Sequence, residues 1–569
     1  MAFQVSPGVV TSEVDLTTVV PAVATTTGAF AGVFNWGPIE RAIAISDETK
    51  LVSAFGKPDN NTAVSFFTSA NFLAYGSDLR VVRAGNGTNT NTAISNSSSN
   101  VLIKNDETYF NTYYSSNSAT IGPWAARYAG ALGNSLKVSV WANVNATLFA
   151  SWAYAPYFSS APGTSTYASA VSGANDEIHV IVVDEDGLIT GTSNTVLEVY
   201  PFVSKASDAK DSVGNSNYYK DVIYRNSKYV HWTDFVDAAN TSNTWGKAAA
   251  GRTFAEVPNV TALHTISLVN GTDGGPTSGN VQTAYGYFVN PEEIDVSLVM
   301  TGAHDSATQL YAINTVAAAR KDAIAFISPT LANVQSATPV DAIVNYRKNA
   351  LANVSSSYAV MDSGWKYQYD KYNDVYRWIP LNGDVAGLCA RTDQVRDPWY
   401  SPSGLARGQI QNLVKLAYYP TSSDRDTLYK NAINPVVSFP GEGTILFGDK
   451  TMLGKPSAFD RINVRRLFIV LEKAIAIAAR SSLFEFNDEF TRAQFVSLVE
   501  PFLRTVKGRR GIFDYRVVCD GSNNTPDVID RNEFRGDIYV KPARSINFIQ
   551  LNFVAVRTGV AFEEIVVKV

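Results

Sequence analysis

Apolar periodicity in this chain follows an α/β pattern, stops at Arg83 and resumes at Asp295, and that interruption constrains the fold more than any single motif. Between Pro21 and Val82 a strand-like run at Thr27 to Phe34 precedes a Gly37-Pro38 turn and a second strand near Ile43. Ala63, Phe66, Phe67, Ala70, Leu73 and Ala74 then recur at helical spacing. After Asp295 come a buried-type strand, Val296 to Met300, a helix with Leu310, Ile313 and Ala317 on one face, and the apolar run Ala323 to Ile327 ended by Ser328-Pro329. Such a βαβ unit implies parallel strands covered by helices. Residues 21–83 and 291–420 are therefore read as one α/β middle domain split by an insertion.

The insertion, residues 84–290, opens on polar tracts such as Gly85-Asn86-Gly87-Thr88 and stays rich in Asn, Ser, Thr, Gly and Tyr. It is read as one or more β-rich, outward-facing domains. A hairpin signal runs from Ile178 to Val183, turns at Asp184-Glu185-Asp186-Gly187 and returns over Leu188 to Thr190. Beyond Ile327 the spacing predicts a helix over Asp341 to Ala352, a strand pair of Tyr358 to Tyr369 with Tyr376 to Pro380, a small-residue helix over Gly383 to Ala390, and a loop over Thr392 to Gln411.

Residues 421–556 read as a C-terminal αβ domain. A helix over Arg461 to Leu483 carries Val464, Leu467, Phe468, Leu471 and Ile475 as a core-facing stripe. Asn487 is expected to cap a second helix, whose buried face is Phe495, Leu498, Val499, Phe502 and Val506, with Pro501 kinking or restarting it. Three strand-like runs follow, Ile512 to Cys519, Asp537 to Val540 and Ser545 to Val556. Both termini, residues 1–20 and 557–569, are strand-prone arms too short to fold alone and need sheet edges to pair with. Pairing inside their own subunit and donation to neighbours are both open from periodicity.

A length of 569 residues exceeds what one core can organise, so several folded units are expected. The formal charge of −5 argues against a general nucleic-acid binder. Yet residues 421–569 hold 21 Lys and Arg against 18 Asp and Glu, while residues 1–420 hold 26 against 34. The basic end is where an acidic partner would be met. Cys389 and Cys519 are too few for a disulfide framework and read as buried thiols. The start, Met-Ala-Phe-Gln-Val-Ser-Pro-Gly, has no secretory signal pattern, and Arg465, Arg466, Glu472 and Lys473 interrupt the most apolar helix, so no membrane span is expected. A cytoplasm-like compartment is expected.

No catalytic constellation, cofactor loop or metal set emerges. Gly448 to Pro456 misses a phosphate loop by one residue of spacing and by Pro456 where Ser or Thr is needed. Thr301-Gly302-Ala303-His304-Asp305 lacks the dinucleotide fingerprint. Asp184 and Asp186 lack the other ligands of a calcium loop. His179, His231, His264 and His304 share no ligand spacing.

One block does carry a family resemblance. Phe490-Thr491-Arg492-Ala493-Gln494-Phe495, Val499-Glu500-Pro501-Phe502-Leu503-Arg504, Gly508-Arg509-Arg510-Gly511-Ile512, Asp514 to Asp520, Asn523-Asn524-Thr525-Pro526 and Tyr539 to Ile546 closely resemble the C-terminal domain of tail sheath proteins from contractile-tailed, T4-like bacteriophages. Ser6-Pro7-Gly8-Val9 and the Gly32 to Pro38 segment fit the family's start. The resemblance implies an α/β and α+β multidomain protein with an αβ sheath core built from N- and C-terminal parts, β-rich insertion domains in the middle and strand-exchanging terminal arms. It implies a virion protein, not an enzyme and without cofactor, assembled in the host bacterial cytoplasm. Hexameric rings of it stack into a helical sheath around a tail tube, and contraction drives the tube through the host envelope. Its partners would be further copies, the tube, baseplate and tail terminator proteins, with neither nucleic acid nor membrane insertion. Carried onto this chain, the exchanging arms include Val5, Val9, Val10, Val14, Phe562, Ile565, Val566 and Val567, and the tube-facing contacts are Arg492, Arg504, Lys507, Arg509 and Arg510. A related injection or secretion apparatus, or a glycan- or receptor-binding protein, is the alternative.

Overall fold

The computed structural model describes residues 24–96, 99–115, 120–236, 244–257 and 265–547. The chain divides into two compact units at Phe484/Glu485. A six-stranded sheet organises the first, in the order Ala359–Met361, Ile324–Ile327, Leu298–Met300, Gly28–Gly32, Leu79–Arg83 and Ala42–Ile45. Strands from both sides of the insertion interleave here. Gly28–Gly32 pairs in parallel with Leu298–Met300 on one side and with Leu79–Arg83 on the other. Only the Ala42–Ile45 edge strand runs antiparallel.

Alternation along these strands divides the core in two. Phe30, Val81, Met300, Ile324, Phe326 and Val360 enter one cluster, and Ala29, Ala31, Val82 and Val299 enter another across the sheet. Helices cover both faces, which is why Gly28–Gly32, Leu298–Met300 and Ile324–Ile327 are buried at every position. The Asn382–Val395 helix lies against the Ala63–Leu73 helix so closely that a Cβ on Gly383 would stand 2.5 Å from the Thr68 carbonyl oxygen and one on Gly387 2.5 Å from the Tyr75 ring. Its small residues permit that approach.

The inserted residues build a separate antiparallel sheet, ordered Thr265–Ser267, Leu136–Trp141, Glu177–Asp184 and Thr195–Ser204. Val138, Val140, Val180 and Val182 point into a core with Trp124, Trp232 and Trp245, while Trp141, Ile181 and Val183 face Phe149 and Trp152. Arg83, the last residue before the insertion, is buried and donates to the carbonyls of Gly37 and Ala129 at 3.0 and 2.7 Å. Burial pulls its guanidinium down to about 10, and Asp273 at 3.8 Å opposes that shift.

Several expectations are corrected. Tyr358 to Tyr369 is two strands: Ala359–Met361 closes the parallel sheet, and Trp365–Asp370 pairs with Val375–Pro380 in a different one. Asp362, Ser363 and Gly364 make the break, because the Asp362 carboxylate accepts from the Ser328 hydroxyl at 2.6 Å and from the Gly364 amide at 2.9 Å. The hairpin after Asp184 returns at Thr195, not Leu188. Its turn is wound round the Asp184 carboxylate, which accepts from the amides of Gly187, Ile189 and Thr190 and the Thr190 hydroxyl. The Ser278–Gly286 helix, inside the range read as insertion, packs with Ala29, Ala31 and Val82. Residues 421–484 lie in the first unit, where Ile462 and Ile469 of the Ile462–Ala479 helix join the Phe30 cluster. The Gly383 to Ala390 helix extends to Val395, and the Asp341 to Ala352 helix begins at Pro339 and ends in a π-turn over Tyr346–Ala350.

Polar side chains at the ends of the parallel strands are sealed. Lys366 donates to Asp384 at 2.8 Å and to the Gln411 carbonyl at 2.9 Å, and the Tyr75 hydroxyl bonds the same Asp384 oxygen at 3.0 Å. Burial pulls Lys366 down and pushes Asp384 up, so each depends on the other for its charge. Asp362, fully buried beside them, is pushed up to about 8 by desolvation. Between the ordinary carboxylate range and that value the folded chain keeps a proton that the unfolded chain releases, so stability falls as pH rises through the window. Replacing Asp362→Asn is expected to remove that fall. Thermal unfolding of unassembled chain at pH 5 and pH 8 checks it: the variant gains on the parent at the higher pH, and parallel pH dependences would refute the assignment.

Candidate assembly surface

The second unit is organised by the Glu489–Gly508 helix. Asp488, rather than Asn487, caps it, its carboxylate accepting the Thr491 amide at 2.8 Å. Thr491, Phe495, Val499, Leu503 and Val506 form the buried stripe. Leu503 takes the place expected for Phe502. Pro501 neither breaks nor restarts the helix, since it lies on the exposed face where a missing amide bond can be replaced by water.

Against that stripe lies a two-stranded antiparallel sheet, Ile512–Val518 with Asp537–Pro542. The register shifts between Ile512 and Asp514, and Phe513 at the bulge is 68% exposed. Asn524 holds the connection between the strands. It is buried, its oxygen accepts from the Arg535 amide at 2.8 Å and from Asn487 at 3.1 Å, and its nitrogen donates to the Arg535 carbonyl at 2.8 Å. Asn487 donates in turn to the Glu533 carbonyl at 2.8 Å. Having missed capping the helix, Asn487 locks its start to the strand connection, a role the sequence signalled only through the Asn523-Asn524-Thr525-Pro526 run.

Each strand of the pair has one neighbour, so among the described residues both outer edges lack a ladder partner. Along Asp537–Pro542 exposed Asp537, Tyr539 and Lys541 alternate with half-buried Ile538, Val540 and Pro542. The third expected strand, Ser545 to Val556, is irregular at Ser545 to Asn547 and otherwise lies outside the described residues. So do the arm positions Val5, Val9, Val10, Val14, Phe562, Ile565, Val566 and Val567.

The basic residues separate into two groups. Arg504, Arg509 and Arg510 are exposed at or just after the end of the helix. Lys507, also exposed, pairs with Asp514 at 3.0 Å and holds that carboxyl below its usual range. Arg492, expected with them, is half-buried and donates to the Asn487 side chain at 2.9 Å and carbonyl at 3.2 Å. It is spent on the helix start. Elsewhere the motifs set aside on sequence have structural roles: Gly448 to Pro456 is a loop in which the Lys450 amide donates to Asn434 at 2.7 Å, and His179 and His304 are buried against Phe158 and Phe30. Cys389 and Cys519 are buried free thiols. Among the described residues no helix is long and apolar enough to cross a membrane, and no three His, Cys, Asp or Glu side chains gather as metal ligands.

The described residues thus form a split α/β body with a β-rich insertion, and a small unit of one helix and two strands. The family described as "Tail sheath protein Gp18 domain III N-terminal region" matches residues 25–84, "Phage tail sheath protein central domain" matches 292–452, and "Phage tail sheath C-terminal domain" matches 454–555. The tail sheath protein of Vibrio phage KVP40 is 34% identical, with 99% of each chain covered. That of Enterobacteria phage T4 is 34% identical over 98% of this chain and 99% of its own. The chain belongs to the phage tail sheath family. Among solved structures, the sheath tail protein Lin1278 from Listeria innocua shares the fold, with a TM-score of 0.53 at 12% identity over 92% of this chain and 96% of that one.

Replacing Asn524→Ala removes the acceptor of two donors and the donor to the Arg535 carbonyl inside a small core. It is expected to destabilise the second unit by about 2–3 kcal/mol. Hydrogen exchange should then quicken across 512–542 and not in the six-stranded sheet; unchanged exchange at 512–542 would show that the clamp contributes little.

Proposed function

We propose that this chain is the sheath subunit of a contractile phage tail, assembled as stacked hexameric rings around the tail tube. The observation that carries the reading is the open two-stranded sheet of the second unit, in a chain related to tail sheath proteins along nearly its whole length. The pair packs on its helix, and arms added at its edges would extend its ladder. Arms 1–20 and 557–569 of neighbouring subunits are the donors in this reading, through Val5, Val9, Val10 and Val14 at one end and Phe562, Ile565, Val566 and Val567 at the other. Each added ladder bond contributes about 0.5–1.5 kcal/mol, so strands repeated over many subunits link the rings firmly.

The exposed cations Arg504, Lys507, Arg509 and Arg510 face the tube in this reading, with Arg492 setting the start of their helix. Baseplate and tail terminator proteins bound the polymer at its two ends. Assembly occurs in the host bacterial cytoplasm, and the finished sheath is a virion component. Contraction draws on a metastable extended lattice, in which small differences per subunit sum cooperatively, and needs neither cofactor nor catalysis. The sealed Lys366–Asp384–Tyr75 cluster then serves to hold the Asn382–Val395 helix on the sheet, so that the first unit moves as a rigid body.

Deleting residues 1–15 is expected to abolish sheath formation while leaving a soluble folded subunit. Electron micrographs of the deletion protein showing intact sheaths would defeat strand exchange. Reversing charge with Arg509→Glu and Arg510→Glu is expected to cut co-sedimentation with preformed tail tubes by about fivefold or more at low salt, with a smaller effect in high salt. Unaltered co-sedimentation would take these arginines off the tube-facing surface.

A further inference from the structure

The three-stranded sheet of Trp365–Asp370, Val375–Pro380 and Lys415–Leu416 carries an aromatic face that its own unit covers at Trp378 and leaves exposed at Tyr369, Tyr376 and Lys415. Cross-strand register sets Tyr367 opposite Trp378, Tyr369 opposite Tyr376, and Lys415 opposite Tyr367, which places all five on one side. The alternate residues Lys366, Gln368 and Asp370 are buried on the other. Ring centroids lie 4.7 Å apart for Tyr367 and Trp378, 5.5 Å for Tyr367 and Tyr376, and 5.3 Å for Tyr369 and Tyr376, giving a continuous tract. The Lys415 ammonium stands 5.1 Å from the Tyr367 ring and 5.7 Å from the Trp378 ring. Tyr369 is 47% and Tyr376 51% exposed. Tyr369 and Tyr376 are the exposed end of this tract, Tyr367 and Trp378 being half-buried behind them, and an exposed aromatic pair backed by stacked rings marks a contact site.

A complementary surface occurs in the same chain. Glu485-Phe486-Asn487-Asp488-Glu489-Phe490, at the start of the second unit, holds two exposed apolar side chains, Phe486 at 84% and Phe490 at 75%. Its three charges are all carboxylates, and Asp488 is committed to capping the helix, which leaves Glu485 and Glu489 to meet a partner's cation. We propose that the Glu485 to Phe490 segment of one copy docks on the Tyr367, Tyr369, Tyr376, Trp378 and Lys415 face of a second copy. Rings stack on rings, a partner carboxylate approaches Lys415, and both apolar patches leave water together. The inference rests on the polymerising reading only in requiring that copies meet. It adds a side-chain contact independent of strand exchange.

The test places benzoylphenylalanine at position 486 of the full chain, mixes isotopically light and heavy copies under assembly conditions, irradiates and maps the cross-links by mass spectrometry, with grids of the same samples scored for tubes. The expected result is light-to-heavy links from position 486 into peptides spanning 367–378 or 415. Tyr369→Ser with Tyr376→Ser should cut their yield about tenfold. Lys415→Glu should cut it about threefold, and Glu485→Lys with Glu489→Lys in the same chain should restore it. Tubes whose links fall elsewhere or within one copy overturn this contact and leave the sheath reading standing. Yields that do not move with these substitutions, in variants whose circular dichroism matches the parent, also overturn it. A sample with neither tubes nor mixed links counts against both.

Discussion

Parallel pairing of Gly28–Gly32 between Leu79–Arg83 and Leu298–Met300 is the constraint on which the first unit depends. Strands from either side of a long insertion flank the same strand in parallel, so the chain leaves at one end of the sheet and must re-enter at the other, with the Ser278–Gly286 helix packed on the sheet before Leu298–Met300 begins. Closing so long a loop costs little more entropy than closing a shorter one, because the cost grows only with the logarithm of length. The insertion therefore has to be stable on its own apolar interior, and its tryptophan-rich cluster under the Leu136–Trp141 and Glu177–Asp184 strands provides one. Arg83 couples the two parts by spending a buried guanidinium on carbonyls from the Gly37 turn and from Ala129 within the insertion.

Buried charge in the first unit works toward rigidity. Lys366 and Tyr75 both bond one oxygen of Asp384, and Arg466 donates to the Cys389 carbonyl at 3.1 Å and pairs with Asp393 at 2.5 Å. Breaking such a pair leaves an uncompensated charge in a low-dielectric interior, which is strongly unfavourable, so these contacts resist partial opening. The second unit is built differently. One helix over two strands offers a small core around Phe495, Val499, Leu503 and Val506, together with edges and cations that point outward. The first unit is thus tied together by buried charge pairs, whereas the second has strand edges that lack a ladder partner among the described residues.

Much of the α/β body was legible because its signals are local. The continuous apolar runs Val296 to Met300 and Ala323 to Ile327, buried at every position, and the helical spacing of Ala63 to Leu73 are each readable within a short window. Misreadings fell where a side chain overrode the local pattern. Asp362 bends the chain between two strands that look continuous in composition, and Asp184 gathers a turn longer than its hairpin signal suggests. Leu503 rather than Phe502 completes the buried stripe between Val499 and Val506, on a helix that continues through Pro501. Arg492, equal to Arg504 and Arg509 on paper, is separated from them by Asn487, whose own partners come from the distant strand connection.

The sequence by itself determined the main strands and helices of the α/β body and the family, since these are written in short-range periodicity or in contiguous residue runs. Tertiary structure alone decided which strands become neighbours, that 421–484 joins the first unit, and which polar side chains are consumed internally. It also decided that Tyr367, Tyr369, Tyr376, Trp378 and Lys415 form one face. The reason is physical. Hydrogen-bond registers and ion pairs between residues far apart in the chain are chosen by whole-core burial, and no local window contains the partners that compete for them.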